Sequence, residues 1–180
     1  MSDKTDEEIA ALVQKGDVES FGLLVERYEP RMLRYGRKFL ADREDIRDLV
    51  QEAFIKAYIN IKSFDVKKNF SPWLYRIAHN EFINAVKKKS RLPILFFDLD
   101  VLWPQLSSDL SANDEVGKQE IKDMLDGCLN KLDLKHREPL VLYFFEDMSY
   151  QEISEVLQIP VATIGVRLRR GKAKLKELFK

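Results

Sequence analysis

The last third of the chain constrains its fold more tightly than any other stretch. Ser149-Tyr150-Gln151-Glu152 opens a short helix with apolar positions at Ile153, Val156 and Leu157. Ser149 can accept the Glu152 amide while the Glu152 carboxylate reaches back to the Ser149 amide, a capping box. Ile159-Pro160 then interrupts the chain, because proline suits the first turn of a new helix but cannot donate within an old one. A second helix is predicted from Val161 to about Phe179, with Ile164 and Leu168 at i, i+4 and Leu175 on the same side. Arg167, Arg169 and Arg170 project elsewhere. A capped short helix, a turn and a long basic helix form the layout of a helix-turn-helix, whose second helix enters the DNA major groove. A solvated basic surface helix is the competing reading.

The overall charge would not suggest a polyanionic partner, since 30 Lys and Arg balance 30 Asp and Glu. The charge is segregated, however. Lys67, Lys68, Arg76, Lys87, Lys88, Lys89 and Arg91 face only Glu81, and the seven basic residues between Pro160 and Lys180 face only Glu177. Between them, Asp98 to Asp126 is acidic. Two basic blocks around an acidic middle predict two polyanion-binding surfaces.

Composition and periodicity predict an all-α protein of two small helical domains joined by a linker, the C-terminal one carrying the helix-turn-helix. With 45% apolar residues, 180 residues can bury a core. Residues 6–30 read as helix, with Ile9, Leu12 and Val13 and then Phe21, Leu24, Val25 and Tyr28 on one face. Pro30 fits the start of the next helix. Asp42 fits an N-cap for a third, which presents Ile46, Leu49, Val50, Ala53, Phe54 and Ala57 inward. Ser71-Pro72 reads as N-cap and first residue of a fourth, ending in Lys87-Lys88-Lys89. The expected domains are 1–90 and 114–180, with a linker at 91–113. Phe96, Phe97, Leu102 and Trp103 make that linker too apolar for a free tether, so it is expected to fold back onto a helical domain or be covered by an inhibitory partner, with local packing of no regulatory consequence as the alternative. Leu140, Val141, Tyr143 and Phe144 form a further apolar stripe.

Two more constellations carry chemistry. Phe64, Phe70, Trp73, Tyr75, His79, Asn80 and Asn84 stand beside Lys87, Lys88 and Lys89. Rings stack on unpaired bases, amides read base edges and lysines neutralise phosphate, which is what single-stranded DNA requires. Ordinary core aromatics and a solvated helix end explain the same residues. Asp48, Gln51 and Glu52 share the polar face of the third helix, able to dock a partner helix or simply solvated. The catalytic search is negative. His79 and His136 lack cysteine partners at zinc spacing, and no glycine-rich phosphate loop or serine nucleophile motif occurs. Cys128 is single, on an apolar face, so it reads as a buried inert thiol. The polar start and the lack of ~18 consecutive apolar residues predict a cytoplasmic chain with no signal peptide or membrane span.

Asp45-Ile46-Arg47-Asp48-Leu49-Val50-Gln51-Glu52-Ala53-Phe54-Ile55-Lys56-Ala57-Tyr58, Phe70-Ser71-Pro72-Trp73-Leu74-Tyr75-Arg76-Ile77-Ala78-His79-Asn80, and Met148 to Ile164 followed by Arg167-Leu168-Arg169-Arg170-Gly171-Lys172 stand in that order. Together they resemble a bacterial extracytoplasmic-function sigma factor, the compact two-domain group 4 class. The resemblance covers nearly the whole chain. It implies a non-enzymatic factor, without cofactor or metal, that directs core RNA polymerase to promoters in a stress or envelope response. It implies that Asp48, Gln51 and Glu52 lie on the helix that docks the clamp helices of the largest polymerase subunit, with the flap as a further contact. Trp73, Asn80, Asn84, Lys87, Lys88 and Lys89 would hold −10 DNA. Thr163, Arg167, Arg169, Arg170 and Lys172 would read the −35 element. An anti-sigma factor is a further candidate partner. Departures from the family pattern are Gly165-Val166 in place of a basic residue and Ser, Gln158 in place of the turn Gly, Ser154 in place of Ala, and Asn84 in place of Asp. A free-standing helix-turn-helix regulator is the alternative function, which leaves the N-terminal block without a purpose. A DNA-modifying enzyme lacks its catalytic cluster.

Overall fold

A computed structural model describes residues 4–90, 127–129 and 131–178. Every regular element among them is helical. The N-terminal unit contains α1 (Asp6–Gln14), α2 (Phe21–Gly36), α3 (Arg43–Asn60) with a 3-10 turn at Ile61–Ser63, and α4 (Phe70–Ser90). The C-terminal unit contains α5 (Leu134–Phe145), α6 (Tyr150–Leu157) and α7 (Val161–Leu178), preceded by helical residues 127–129. The expected linker lies outside the described residues.

Local chemistry sets most helix starts. Thr5 and Glu8 form a capping box on α1. The Asp42 carboxylate accepts the amides of Glu44 and Asp45 at 2.8 and 3.0 Å, which fixes the start of α3 as expected. Three expectations need correction. Residues 6–30 are two helices, because Gly16 adopts φ +103° and turns the chain before α2. Pro30 lies inside α2 rather than at a helix start. Pro30 and Glu26, whose carbonyl the proline cannot serve, are both exposed, so the interruption falls on the solvent side of α2. Ser71 is not the cap of α4, which begins at Phe70. There the Phe70 amide donates to Glu7 Oε1 at 2.9 Å, so a carboxylate of α1 serves a helix start 63 residues away. Pro72 falls among the first-turn residues whose amides have no helical partner.

The interior of the N-terminal unit is aromatic and tight. Tyr35 stands edge-on to Phe39, Tyr75 and Phe82 at centroid separations of 5.0, 5.3 and 5.9 Å. Gly36 lets α2 approach α3 and α4. A Cβ there would lie 2.7 Å from Ile46 Cγ2 and 2.8 Å from the Phe82 ring.

In the C-terminal unit the Ser149–Glu152 capping box forms as expected, and Ile153, Val156, Ile164 and Leu168 are buried. The turn holds itself. Gln158 takes the left-handed conformation, φ 54° and ψ 43°, and its side chain donates to the Glu155 carbonyl at 2.6 Å. Ser154 Oγ donates to the Ile159 carbonyl at 2.6 Å. The two departures noted at these positions thus supply hydrogen bonds within the turn. Gly171 lets α7 meet α5, where a Cβ would fall 2.8 Å from Leu140 Cδ1. Cys128 is buried. Phe144 departs from the expected stripe. It is half exposed, beneath the Lys172 ammonium at 4.8 Å.

The two units touch. α4 packs against α6, and their buried apolar residues join in one cluster.

Candidate nucleic-acid and partner interfaces

The outer face of α3 carries Asp48, Gln51 and Glu52, all exposed. Ile46, Val50, Ala53 and Phe54 anchor the opposite face. Glu52 pairs with Lys56 at 3.4 Å, and Lys56 also reaches Glu81 on α4 at 2.7 Å. Ile55 and Ile59 are 53% and 70% exposed beside them, with Tyr58 at the edge against Phe21. Ile55 stands within the block that carries the family resemblance, but neither it nor Ile59 was expected to form part of this face. Their signal was available, since an i, i+4 isoleucine pair off the buried stripe has no interior to fill.

The aromatic and basic block of α4 separates into core and surface. Phe64, Phe70, Tyr75 and His79 are buried, so they do not form a stacking platform. Phe70 sits against Tyr28, and Tyr35 O–H lies 2.7 Å from His79 Nδ1. Burial lowers His79 to about 4, so its imidazole is neutral. Trp73 is half-buried against Phe64 and Phe70 at 5.2 and 5.5 Å, with an edge left on the surface. That edge lines an open cleft of about 290 Å³ with Lys56, Asn60, Ser63, Arg76, Ile77, Asn80 and Glu81. Lys56, Asn60 and Arg76 were not foreseen as part of one site. Asn60 and Lys56 come from α3, so no local spacing links them to Trp73. Asn84, Lys87 and Lys88 are exposed further along α4, and Lys89 is paired with Asp45.

On α7 the arginines divide. Arg169 and Arg170 are exposed, while Thr163 and Arg167 are half-buried. Arg167 lies within the electrostatic reach of Glu138 on α5. Lys172 stacks over Tyr143 and Phe144 at 5.5 and 4.8 Å. No group of His, Cys, Asp and Glu among the described residues is arranged to hold a metal. No helix among them is long and apolar enough to cross a membrane.

Comparison with known proteins bears on these faces. The family model of Sigma-70 region 2 matches residues 24–92, and that of Sigma-70 region 4 matches residues 122–175. The ECF RNA polymerase sigma factor SigW of Bacillus subtilis (strain 168) is 35% identical over 173 residues, which covers 92% of this chain and 91% of the relative. The chain belongs to the extracytoplasmic-function sigma factor family. The ECF RNA polymerase sigma-E factor of Escherichia coli (strain K12) is 31% identical over 175 residues, 93% of this chain and 91% of that one. The solved structure of CnrH in complex with the cytosolic domain of CnrY matches with a TM-score of 0.74 at 26% identity, over 97% of this chain and 96% of that one. As a sigma factor the chain is not an enzyme. It binds core RNA polymerase and promoter DNA and directs promoter-specific initiation. The region 2 match contains α3, α4 and the Trp73 cleft, and the region 4 match contains α6 and the first 15 residues of α7.

Proposed function

We propose that this sigma factor is a group 4 member acting in the cytoplasm in a stress or envelope response, with three faces that divide the work. Residues 1–90 form the polymerase-binding and −10 unit, 91–113 the connection, and 114–180 the −35 unit. Asp48, Gln51 and Glu52 dock the clamp helices of the largest polymerase subunit, helped by the exposed Ile55 and Ile59. The acids set orientation and the isoleucines gain from burial, a division common at protein interfaces. The flap contacts the C-terminal unit.

At the −10 element, Trp73 and Asn80 receive an unpaired base, with Arg76 and Lys56 beside it. Asn84, Lys87, Lys88 and Lys89 follow the strand along α4. Thr163, Arg167, Arg169, Arg170 and Lys172 serve the −35 duplex. Arg169 and Arg170 reach base edges, whereas Arg167 and Lys172 brace the helix or touch phosphate, in keeping with their intramolecular neighbours. The observation that carries this reading is the Trp73 cleft. A ring edge, two amides and two cations meet there around one opening, which suits a flipped base and its phosphate. A partner with a cytosolic domain, comparable to the one bound to CnrH, holds this chain inactive as an anti-sigma factor.

Run-off transcription with purified core polymerase tests the assignment. The chain should yield transcripts from a small promoter set that core alone does not start. Trp73→Ala should reduce open-complex formation while closed binding persists. Tight, sequence-specific duplex binding by the free chain, unchanged by polymerase, would instead mark a free-standing regulator.

A further inference from the structure

The loop between α3 and α4 is held from outside by α1. The Gln14 side-chain amide donates to the Ile61 carbonyl at 2.8 Å and to the Phe64 carbonyl at 2.7 Å, so one side chain spans the 3-10 turn. The Ile61 carbonyl also accepts the Phe64 amide at 3.0 Å. Phe64 is extended, φ −72° and ψ 128°, so its carbonyl stands outside any helical ladder and takes its donor from α1. At the far end of the loop the Phe70 amide donates to Glu7 Oε1 at 2.9 Å. Between these anchors Asp65 closes a turn. Its carboxylate accepts the Lys67 amide at 3.0 Å and its carbonyl the Lys68 amide at 2.9 Å.

Two features tie this loop to the cleft on α4. Phe64 is buried with its ring centroid 5.2 Å from that of Trp73, so the loop sets where the indole edge stands. Ser63 lines the opening together with Trp73, Arg76 and Asn80, and its hydroxyl is itself fixed, donating to the Asn60 carbonyl at 2.7 Å. The two carbonyls that Gln14 holds flank Ser63 in the chain. α1 contributes no side chain to the lining of that opening, and it lies ahead of residue 24, where the Sigma-70 region 2 match begins. Ile9, Ala10 and Val13 already bury its apolar face. The hydrogen bonds from Gln14 and Glu7 therefore add direction to an anchored helix, and that direction is toward the loop.

We propose that α1 is a positioning element for the −10 strand, in which Gln14 supplies two donors and Glu7 one acceptor that hold the 61–70 loop at both ends and so set Ser63 and Trp73 at the spacing an unpaired base requires. This rests on the reading of Trp73 and its neighbours as the −10 site. Gln14 and Glu7 act through the loop and not on the strand. A recognition site whose supporting residues are loosened keeps its parts and loses its precision, so discrimination suffers first. The chemistry at the two positions differs. Position 14 needs N–H donors, which a carboxylate of the same size lacks, whereas position 7 needs an acceptor oxygen, which an amide retains.

The test is run-off transcription by the full chain with core polymerase, on a promoter and on copies with single substitutions in the −10 element. The readout is the ratio of cognate to substituted output. Gln14→Ala and Gln14→Glu should each lower that ratio about tenfold, and Glu7→Ala several-fold, while Glu7→Gln should stay within about twofold of the parent chain. Affinity for core polymerase and the response to −35 substitutions should be unchanged in all four. Unchanged ratios in both Gln14 variants overturn the proposal. So does a parallel loss of core affinity, −35 response and −10 ratio, which marks general destabilisation. So does the reverse pattern, with Gln14→Glu like the parent and Glu7→Gln like Glu7→Ala, since charge and not hydrogen bonding would then be the cause. Trp73→Ala in the same assay separates the two readings. A ratio kept by Trp73→Ala but lost by the Gln14 variants removes the cleft as the −10 site and leaves the hold of α1 on the loop standing. A ratio lost by Trp73→Ala but kept by the Gln14 variants removes the role of α1 alone.

Discussion

Inside the N-terminal unit, Ile46 and Phe82 close around Gly36 with no room for a methyl group. At the seam between the units, Glu138, Glu146 and Glu152 meet Arg31, Tyr75, His79 and Asn69. The first arrangement gains from dispersion and apolar burial and exists only when fully formed. The second adds a few hydrogen bonds and ion pairs to the apolar contacts of α4 with α6, and those polar contacts contribute less net stability than the apolar ones. The scaffold and this more polar seam adjoin at α4, where Trp73 and Arg76 line a cleft with Glu155 and Gln158.

Truncating the scaffold should have the largest effect. Phe82→Ala removes a fully buried ring and should cost about 3–5 kcal/mol, read as a lowered Tm of the N-terminal unit. Glu146→Lys should leave that Tm nearly unchanged while abolishing inter-unit proximity. If the two variants destabilise the unit alike, the contrast between scaffold and seam is false.

Docking is expected to come next. Reversing charge at Asp48 and Glu52 together should weaken core polymerase binding about tenfold or more, with circular dichroism unchanged. Normal affinity in a folded double variant would remove α3 from the polymerase interface.

The glycines refine the comparison on a smaller scale. Gly171→Ala meets Leu140 at 2.8 Å and should destabilise the C-terminal unit by about 1–3 kcal/mol. Gly165→Ala meets only Tyr150 Cε2 at an ordinary 3.6 Å, and should stabilise α7 by about 1 kcal/mol. Chemical denaturation of the two variants should move in opposite directions.

Acidity should tune the seam alone. Burial pushes Glu138 up to about 7, although Arg167, Lys87 and Arg137 pull it back in part. His79 of α4 and Tyr35 of α2 also face it. When the units part, its carboxyl returns toward the ordinary ~4.3. The closed state therefore carries an extra proton between that value and about 7, and closure weakens as pH rises across that interval. Burial raises Glu146 as well, with the same sign. His79, lowered to about 4, would oppose this in acid, but Tyr35 and Phe39 of its own unit enclose it, so it stays buried when the units separate. A proximity signal between the units should fall from about pH 5 to about pH 7 and level off above it, and Glu138→Gln should flatten most of that slope. A signal that rises over this range would contradict the assignment of Glu138.

How far the sequence revealed these features follows the range of the interactions. The Asp42 cap, the Ser149–Glu152 box and the inward stripe of α3 were legible because each is decided within one or two turns. So was the whole-chain family resemblance, carried by three blocks in order. Pro30 was misread because a helix can continue past a proline where the lost bond faces water, and exposure at that point depends on the tertiary fold. Phe64, Phe70, Tyr75 and His79 carried the composition of a stacking platform and became core, since composition does not tell which side of a helix meets α1 and α2. The seam was invisible for the same reason: Tyr75 and Glu146 are 71 positions apart.

Inter-unit distance tests the central claim most directly. Donor and acceptor dyes at Lys67 and Gln151, both exposed and near the Asn69–Glu152 contact, report whether the seam is shut. The free chain should show high energy transfer, and adding core polymerase with promoter DNA should reduce it to near background as the units separate. High transfer retained in a transcribing complex would mean that initiation proceeds with the seam closed, and the seam would then be part of the scaffold after all.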